Sequence, residues 1–328
     1  MIMTRTPLRI SIGGGGTDLP SYYRRFEGFV ISAAINKHVY LTANRSFTHG
    51  YLLRYSINEH VSHTSEIRHP LLRHAIEMQE VRDPLEIVSI ADVPAGTGLG
   101  SSGAFVVGLV HLLHAHKCEP VTPEQLAREA IEIEMERLGE PVGKQDQYIA
   151  AYGGLLCQHY HQDDTVTLEP LSMRADTLRD FCDSLMLFFA GETRQASVIL
   201  EEQRKRTEED DPAMLEGLHF ARQLGLEIRH ILEAGDVAAF GPLMHQHWER
   251  KRNRSRGMSN ARIDGLYEMA RRSGGALGGK LVGAGGCGFL LFQTFDRRRL
   301  RNCMREAGVE EMDFQFDFDG SVVHTRSV

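Results

Sequence analysis

The stretch Asp92-Val93-Pro94-Ala95-Gly96-Thr97-Gly98-Leu99-Gly100-Ser101-Ser102-Gly103-Ala104 lies between a strand-like apolar run, Leu85 to Ala91, and a helix-like one, Phe105 to Leu113. A glycine-rich turn that feeds a helix start gathers backbone N–H groups around an anion, and the helix dipole adds to their attraction. Pro94, Gly96, Gly98, Leu99, Gly100, Ser101 and Ser102 therefore make a candidate phosphate cradle. One hydroxyl would cap the helix while the other faces a phosphate oxygen or its Mg²⁺. A tight turn with two capping serines would read the same way. No G-x-x-x-x-G-K-[ST] occurs in the chain, so the loop is not of the Walker A kind.

Carboxylates stand in three other places. Asp18 closes Gly13-Gly14-Gly15-Gly16-Thr17-Asp18, a run whose glycines suit close approach of backbone to a ligand. Asp18 would accept hydrogen bonds from hydroxyl groups, or else cap a helix over Leu19 to Phe26. Glu129, Glu132, Glu134 and Glu136 share a helix that Thr122-Pro123 starts, with Gln125 in the capping-box position, and that Gly139 stops. Most of them must be solvated, but Ile131, Ile133, Met135 and Leu138 show the helix is partly buried, so one carboxylate would turn inward. Asp146, in Gly143 to Tyr148, is either a helix cap or a half-buried general base acting on a hydroxyl.

Strands and helices must carry these groups. Leu8 to Ile12 alternates as a half-buried strand. Phe29 to Ala43 and Tyr51 to Ile57 read as two antiparallel strands, and Leu155 to His159, Thr165 to Leu171 and Ser184 to Ala190 as three more. His111, His114 and His116 are expected on a solvated helix face. Two or three helices are expected between Val198 and Ser273. Between two of them Arg250 to Arg256 carries five basic residues, as a solvated helix end or as a dock for a substrate phosphate. Lys280 to Gly288 contains a formal G-x-G-x-x-G, but a strand follows it at Phe289 to Thr294, so it is a hairpin and not a dinucleotide fingerprint. Met312 to Phe318 is expected as the last strand.

Composition sets the bounds. The 328 residues suit two domains, divided near residue 180 into 1–180 and 181–328. A formal charge of −7 argues against general nucleic-acid binding. Five scattered cysteines, no C-x-x-C pair, no signal peptide and no long apolar run point to a cytoplasmic protein without a membrane partner.

Three glycine-rich loops, each after an apolar strand, resemble the three motifs of the GHMP kinase superfamily: Pro7 to Asp18, the P-x-G-x-G-L-G-S-S loop at Pro94 to Ser102, and Gly283 to Gly288. Gly13 to Tyr23, Gly143 to Gly154 and Gly257 to Gly288 are similar to the sugar-1-kinase branch that holds D-glycero-D-manno-heptose 7-phosphate kinases and bacterial fucokinase domains. The galactokinase motif has His where this chain has Gly16.

The resemblance implies an α+β fold: an N-terminal α/β domain with a left-handed βαβ crossover, a ferredoxin-like C-terminal domain, and the active site between them. It implies ATP and Mg²⁺, with Glu134, twelve residues before the catalytic Asp, and Ser102 as metal ligands. Asp146 would be the base, with Arg9 orienting it or stabilising the transferred phosphoryl group. Gly14, Gly15, Thr17, Asp18, Thr193, Arg194, Lys251, Lys280 and Gly285 would meet the substrate, with Arg250 to Arg256, or Lys280, holding its distal phosphate. The implied reaction phosphorylates the anomeric hydroxyl of a heptose 7-phosphate, giving a 1,7-bisphosphate for nucleotide-sugar synthesis. A fucokinase-like enzyme is the alternative within the class, and a silent nucleotide or sugar sensor the alternative outside it. The expected partner is a small sugar phosphate, and a homodimer is left open.

Overall fold

The computed structural model describes residues 1–47, 49–191, 197–252, 257–283, 285–286 and 288–326. In chain order come β1 (Ile2–Gly13), α1 (Pro20–Phe26), β2 (Gly28–Arg45), β3 (Tyr51–Arg54), β4 (Asn58–Val61), α2 (Pro70–Met78), β5 (Leu85–Ala91) and α3 (Ser101–Lys117). Then α4 (Pro123–Ile131) continues as a π-helical turn (Glu132–Arg137) and is followed by α5 (Gln145–Tyr152), β6 (Leu155–Tyr160), β7 (Val166–Pro170) and α6 (Ala175–Ser184). The remainder is β8 (Leu185–Phe189), α7 (Ser197–Glu208), α8 (Pro212–Ala234), α9 (Phe240–Lys251), α10 (Ala261–Arg272), β9 (Gly278–Leu281), β10 (Phe289–Gln293), α11 (Arg297–Glu306) and β11 (Val322–Arg326).

The 18-residue β2 organises the larger sheet. One edge pairs antiparallel with β1. The other takes β5 along Val39 to Arg45 and β6 along Gly28 to Ala33. The expected neighbours Phe29–Ala43 and Tyr51–Ile57 are therefore corrected: β5 lies between β2 and β3, pairing parallel with β3 and antiparallel with β2. Apolar alternation specifies strands and their faces, but a parallel partner arrives only after a crossover, here through α2.

The expected last strand is also corrected. Residues 311–316 make only the single bridges Phe188↔Glu311 and Ile35↔Phe316, and the final strand is β11, antiparallel to β1. Between Pro7 and Leu8 the β1–β2 register shifts, leaving Asn36 outside it, and its N–H donates to the Gln315 carbonyl instead. Phe314 and Phe316 pack on the core from this crossing, while Phe318 is exposed.

The smaller sheet has the order β8-β10-β9. The Phe188↔Glu311 bridge and the Met312 N–H to Leu187 carbonyl bond add a remnant fourth strand beside β8, completing a β-α-β-β-α-β pattern. The chain changes sheets at α6, but β11 returns to the larger one, so the last residues belong with the N-terminal sheet and not with 181–321. Among the described residues, four α-helices, α7 to α10, lie where two or three were expected.

The histidines of α3 do not share a solvated face. His114 is buried and lies within hydrogen-bond distance of Gln79 and Glu129, and His111 meets Ser321. No group of three or more His, Cys, Asp or Glu among the described residues is arranged to hold a metal ion. No helix among them is long and apolar enough to cross a membrane.

Candidate active site

Along β1 the side chains alternate: Leu8, Ile10 and Ile12 enter the core, while Arg9 and Ser11 turn to a cleft of about 890 Å³ lined from both halves of the chain. Arg9 forks onto Asp146, with Nε donating to Oδ1 at 2.7 Å and Nη2 to Oδ2 at 2.8 Å. Its Nη1 donates to the Gly98 carbonyl, and its backbone N–H to the Leu99 carbonyl. A bidentate pair of this kind fixes the planes of both groups. Asp146 sits in the first turn of α5, where the helix dipole favours its negative charge.

Opposite stands Glu134, in the π-helical turn. Widened turns of this type re-aim side chains and recur at functional sites. Ser102 Oγ donates to one of its carboxylate oxygens and Gln147 Nε2 to the other. Glu134 is only 2 % exposed. Burial pushes its carboxyl up to about 7 against the two hydrogen bonds, and Asp146 and Glu140 add to the rise. No cation among the described residues forms an ion pair or hydrogen bond with it. A buried carboxylate beside a hydroxyl, both short of positive charge, fits Mg²⁺, which takes few protein oxygens and completes its octahedron with water and phosphate.

The N–H groups of Ser101, Ser102 and Gly103 open α3 and have no partner within the helix. All three residues line the cleft, as do Gly96, Gly98 and Gly100. Leu99 is fully buried and Pro94 faces outward, so these two shape the loop from behind. Gly98 also meets the third glycine loop: a Cβ on Gly98 would lie 2.6 Å from the Val282 carbonyl oxygen, and one on Gly283 2.6 Å from the Gly98 Cα.

At the first glycine loop the residues divide. Asp18 lines the cleft at 3 % exposure, accepting from the Gly16 N–H at 3.1 Å and the Gln145 N–H at 3.4 Å. Burial pushes its carboxyl up to about 6, and Asp146 adds to that against the backbone N–H groups. It is no helix cap, since Leu19 occupies that position. Thr17 is corrected as a sugar contact: its hydroxyl lies 2.8 and 2.9 Å from the Gly14 and Phe29 carbonyls and accepts from the Phe29 N–H. Gly14 is likewise backed onto Phe29, whereas Gly15 faces the cleft.

Lys251, Lys280 and Gly285 line the same cleft. The basic run does not act as one patch: Arg250 lies over the Phe220 ring and Arg252 pairs with Glu249. Thr193 and Arg194 lie outside the described residues, as do Arg254 and Arg256. Sequence reasoning missed Gln147 and Gln203, whose Nε2 donates to the Gly16 carbonyl at 2.9 Å; both line the cleft. Gln147 follows Asp146 in a stretch already singled out. A neutral amide carries no pattern of its own.

The sequence pattern of the GHMP kinases N terminal domain matches residues 69–154, and that of the GHMP kinases C terminal domain matches residues 228–310. The chain belongs to the GHMP kinases. It is a phosphotransferase with an alcohol group as acceptor, related to the heptose phosphate kinases. A D-glycero-alpha-D-manno-heptose 7-phosphate kinase of Campylobacter jejuni is 28% identical over 97% of both chains. The structure of a D-glycero-D-manno-heptose 1-phosphate kinase from Bacteroides thetaiotaomicron superposes with a TM-score of 0.83 at 24% identity, covering 100% of both chains. A galactokinase from Lactococcus lactis, complexed with galactose, superposes at 0.76 with 16% identity, covering 98% of this chain and 94% of its own. The GHMP kinase fold thus unites the three glycine loops, the Arg9–Asp146 fork and the Ser102–Glu134 pair in one cleft.

Proposed function

We propose that this GHMP kinase transfers the terminal phosphoryl group of ATP to the anomeric hydroxyl of D-glycero-D-manno-heptose 7-phosphate. The observation that carries the reading is the Arg9–Asp146 fork beside the head of α3, facing the Ser102–Glu134 pair across the same cleft. Phosphoryl transfer requires mainly positioning and charge neutralisation, and these groups supply both.

Asp146 takes the proton of the attacking hydroxyl as its oxygen bonds to phosphorus and the bond to ADP breaks. Such general-base help contributes roughly 10²- to 10⁴-fold. Arg9 keeps both carboxylate oxygens in place, and the free N–H groups of Ser101, Ser102 and Gly103 hold donor phosphate oxygens. Glu134 and Ser102 would hold Mg²⁺, which when bound neutralises phosphate charge. Asp18 and Gly15 meet sugar hydroxyls, with Lys251, Lys280 and Gly285 completing the acceptor side. The relative named for heptose 7-phosphate, aligned over nearly its whole length, supports that acceptor. A cytoplasmic enzyme supplying nucleotide-sugar synthesis is part of the same reading.

The test is ADP release with Mg-ATP over a panel of sugars, each with and without its distal phosphate. Turnover restricted to heptose 7-phosphate is the expected result. Preference for free fucose or another unphosphorylated sugar would refute the heptose assignment. No turnover on any sugar, with ATP still bound, would favour a sensor.

A further inference from the structure

Lys280 is 2 % exposed, an ammonium group kept in the interior at the wall of the cleft. It stands on β9, and its Nζ lies 3.4 Å from the Ile12 carbonyl, just ahead of the Gly13–Gly16 loop. At that distance the carbonyl is a weak acceptor. Every influence on its charge is unfavourable, burial first and then Lys251 and Arg9, so its pKa is driven well below the usual lysine range. Arg9 answers to Asp146, but no carboxylate among the described residues answers to Lys280. A lysine this deep is rare without a counter-charge. A methionine would fill the same space without the electrostatic cost, so a cation here is suited to an anion that enters with a ligand.

Lys251 converges from α9 onto the same region. It is 8 % exposed, lines the cleft, and its Nζ donates to the Leu281 and Gly283 carbonyls at 3.2 and 2.6 Å. These carbonyls lie one and three residues after Lys280 in the chain. Lys280 therefore stands beside the first glycine loop where it leaves β1, Lys251 reaches it from the third loop, and Asp18 stands at the other end of the first loop. The donor side, with Ser102 and Glu134 on α3 and the π-helical turn, has no hydrogen bond or ion pair with Lys280 among the described residues. A ligand laid along the loop would meet a carboxylate suited to hydroxyls at one end and ammonium groups suited to a phosphate at the other.

We infer that Lys280, with Lys251 beside it, receives a phosphomonoester carried by the acceptor, so that the enzyme selects a sugar phosphate over the corresponding free sugar. This rests on the acceptor side assigned under Proposed function, and it assigns the selectivity to named residues.

Calorimetry on the full chain, saturated with Mg²⁺ and a non-hydrolysable ATP analogue, tests it, with D-glycero-D-manno-heptose 7-phosphate, the free heptose and inorganic phosphate as separate titrants. The wild type is expected to bind the phosphorylated sugar at least tens-fold more tightly than the free one. Lys280→Met should lose about tenfold or more of that preference, with the free heptose and the nucleotide analogue bound as before, and Lys280→Arg should restore part of it. The thermal midpoint of Lys280→Met should match or exceed the wild type, which separates lost recognition from misfolding. An unchanged preference, or an equal loss for both sugars and the nucleotide, overturns the inference, because the cation would then serve the donor or the fold. If neither sugar binds the wild type, the heptose reading fails on its own and the phosphate titration decides the pocket. Phosphate binding abolished in Lys280→Met upholds the pocket, while binding that is absent or unchanged rejects it.

Discussion

Gly103→Ala is a change of one methyl group that should disable the proposed base without touching the substrate. A Cβ on Gly103 would lie 2.7 Å from the Asp146 Cβ, 3.2 Å from the Asp146 carbonyl carbon and 3.3 Å from the Gln147 N. Carbon atoms rest at about 3.5 to 4.0 Å, so the clash is on the order of 1 Å. The atoms it meets are backbone and Cβ, with no flexible end to swing aside, and the first turn of α5 must retreat by about that much. That turn carries Asp146 to Arg9 and Gln147 to Glu134, so one displacement strains both halves of the site. A misplacement of about 1 Å costs on the order of 10²-fold in rate. We therefore expect kcat to fall about a hundredfold while the nucleotide, held by the loop and by N–H groups that alanine at this position retains, binds as before. Overpacking should cost about 1 to 3 kcal/mol, partly offset by the roughly 1 kcal/mol gained when Gly becomes Ala within a helix. Steady-state ADP release, nucleotide displacement and thermal denaturation read these three quantities. Gly265→Ala is the control: nothing lies within 4 Å of its added Cβ, in α10, so stability should rise by up to about 1 kcal/mol with activity unchanged. A Gly103→Ala enzyme with a normal thermal midpoint and kcat within threefold of wild type would refute the claim that this contact sets the position of the base.

Three further outcomes follow from the same geometry. Asp146→Asn should lower kcat by roughly 10²- to 10⁴-fold with nucleotide affinity retained, measured by ADP release and calorimetry. For Asp18, whose carboxyl rises from its ordinary 3.8 to about 6, the folded state favours the protonated form. Stability from this group is therefore fully present below about pH 3.8 and lost as pH climbs through 6, a difference of roughly 3 kcal/mol. Asp18→Asn should raise the thermal midpoint at pH 7.5, the gap to wild type should close toward pH 4, and sugar affinity should drop. A midpoint lowered at pH 7.5 would contradict this. Glu134 must be ionised to hold a cation, and its carboxyl sits near 7, so Mg²⁺ affinity in the presence of ADP should weaken up to about tenfold per pH unit below 7 and level off above. In Glu134→Gln that affinity should be weak throughout, with the slope gone. A flat wild-type profile would remove Glu134 from the metal site.

The parts legible in the sequence were those fixed by local chemistry. The alternation of Leu8, Ile10 and Ile12 gives β1 and puts Arg9 on the opposite face, and Thr122 caps α4 by accepting from the Gln125 N–H. The capping box was read only in half, because Gln125 sends its amide to Glu129 instead. What the sequence did not disclose depends on long-range pairing. Nothing in Tyr51 to Arg54 says that β5 rather than β2 will be its neighbour. Nor does the alternation of Phe314, Phe316 and Phe318 say that the segment crosses a register shift in β2 instead of extending a sheet. Thr17 illustrates the same limit at the site. A threonine beside Asp18 in a glycine loop looks like a sugar ligand, but the three backbone groups of Gly14 and Phe29 around its hydroxyl come from different parts of the chain. Glu134 could be chosen from its three neighbours only through the family resemblance, since the π-helical turn that aims it leaves no mark in the apolar period.

The glycines of the third loop carry a mechanical consequence. The sequence reads them as a hairpin turn, and in the structure Gly283 is pressed against Gly98, while a Cβ on Gly288 would fall 2.0 Å from the Thr97 carbonyl oxygen. Their bare Cα atoms let one loop seat on the other, so the C-terminal half holds the phosphate loop by backbone contact. Arg9 completes the connection from the other side: its N–H binds the Leu99 carbonyl, its Nη1 binds the Gly98 carbonyl, and its remaining nitrogens hold Asp146. The residue proposed to orient the base is thus also a strut of the proposed phosphate loop. Four residues further along the same strand, Gly13 opens the loop that leads to Asp18. The proposed donor loop, base and acceptor loop are therefore all tied to β1, through the backbone N–H and the guanidinium of Arg9 and through Gly13, so under the proposed reaction this strand and the Arg9 side chain together set the distance between the attacking hydroxyl and the phosphoryl group.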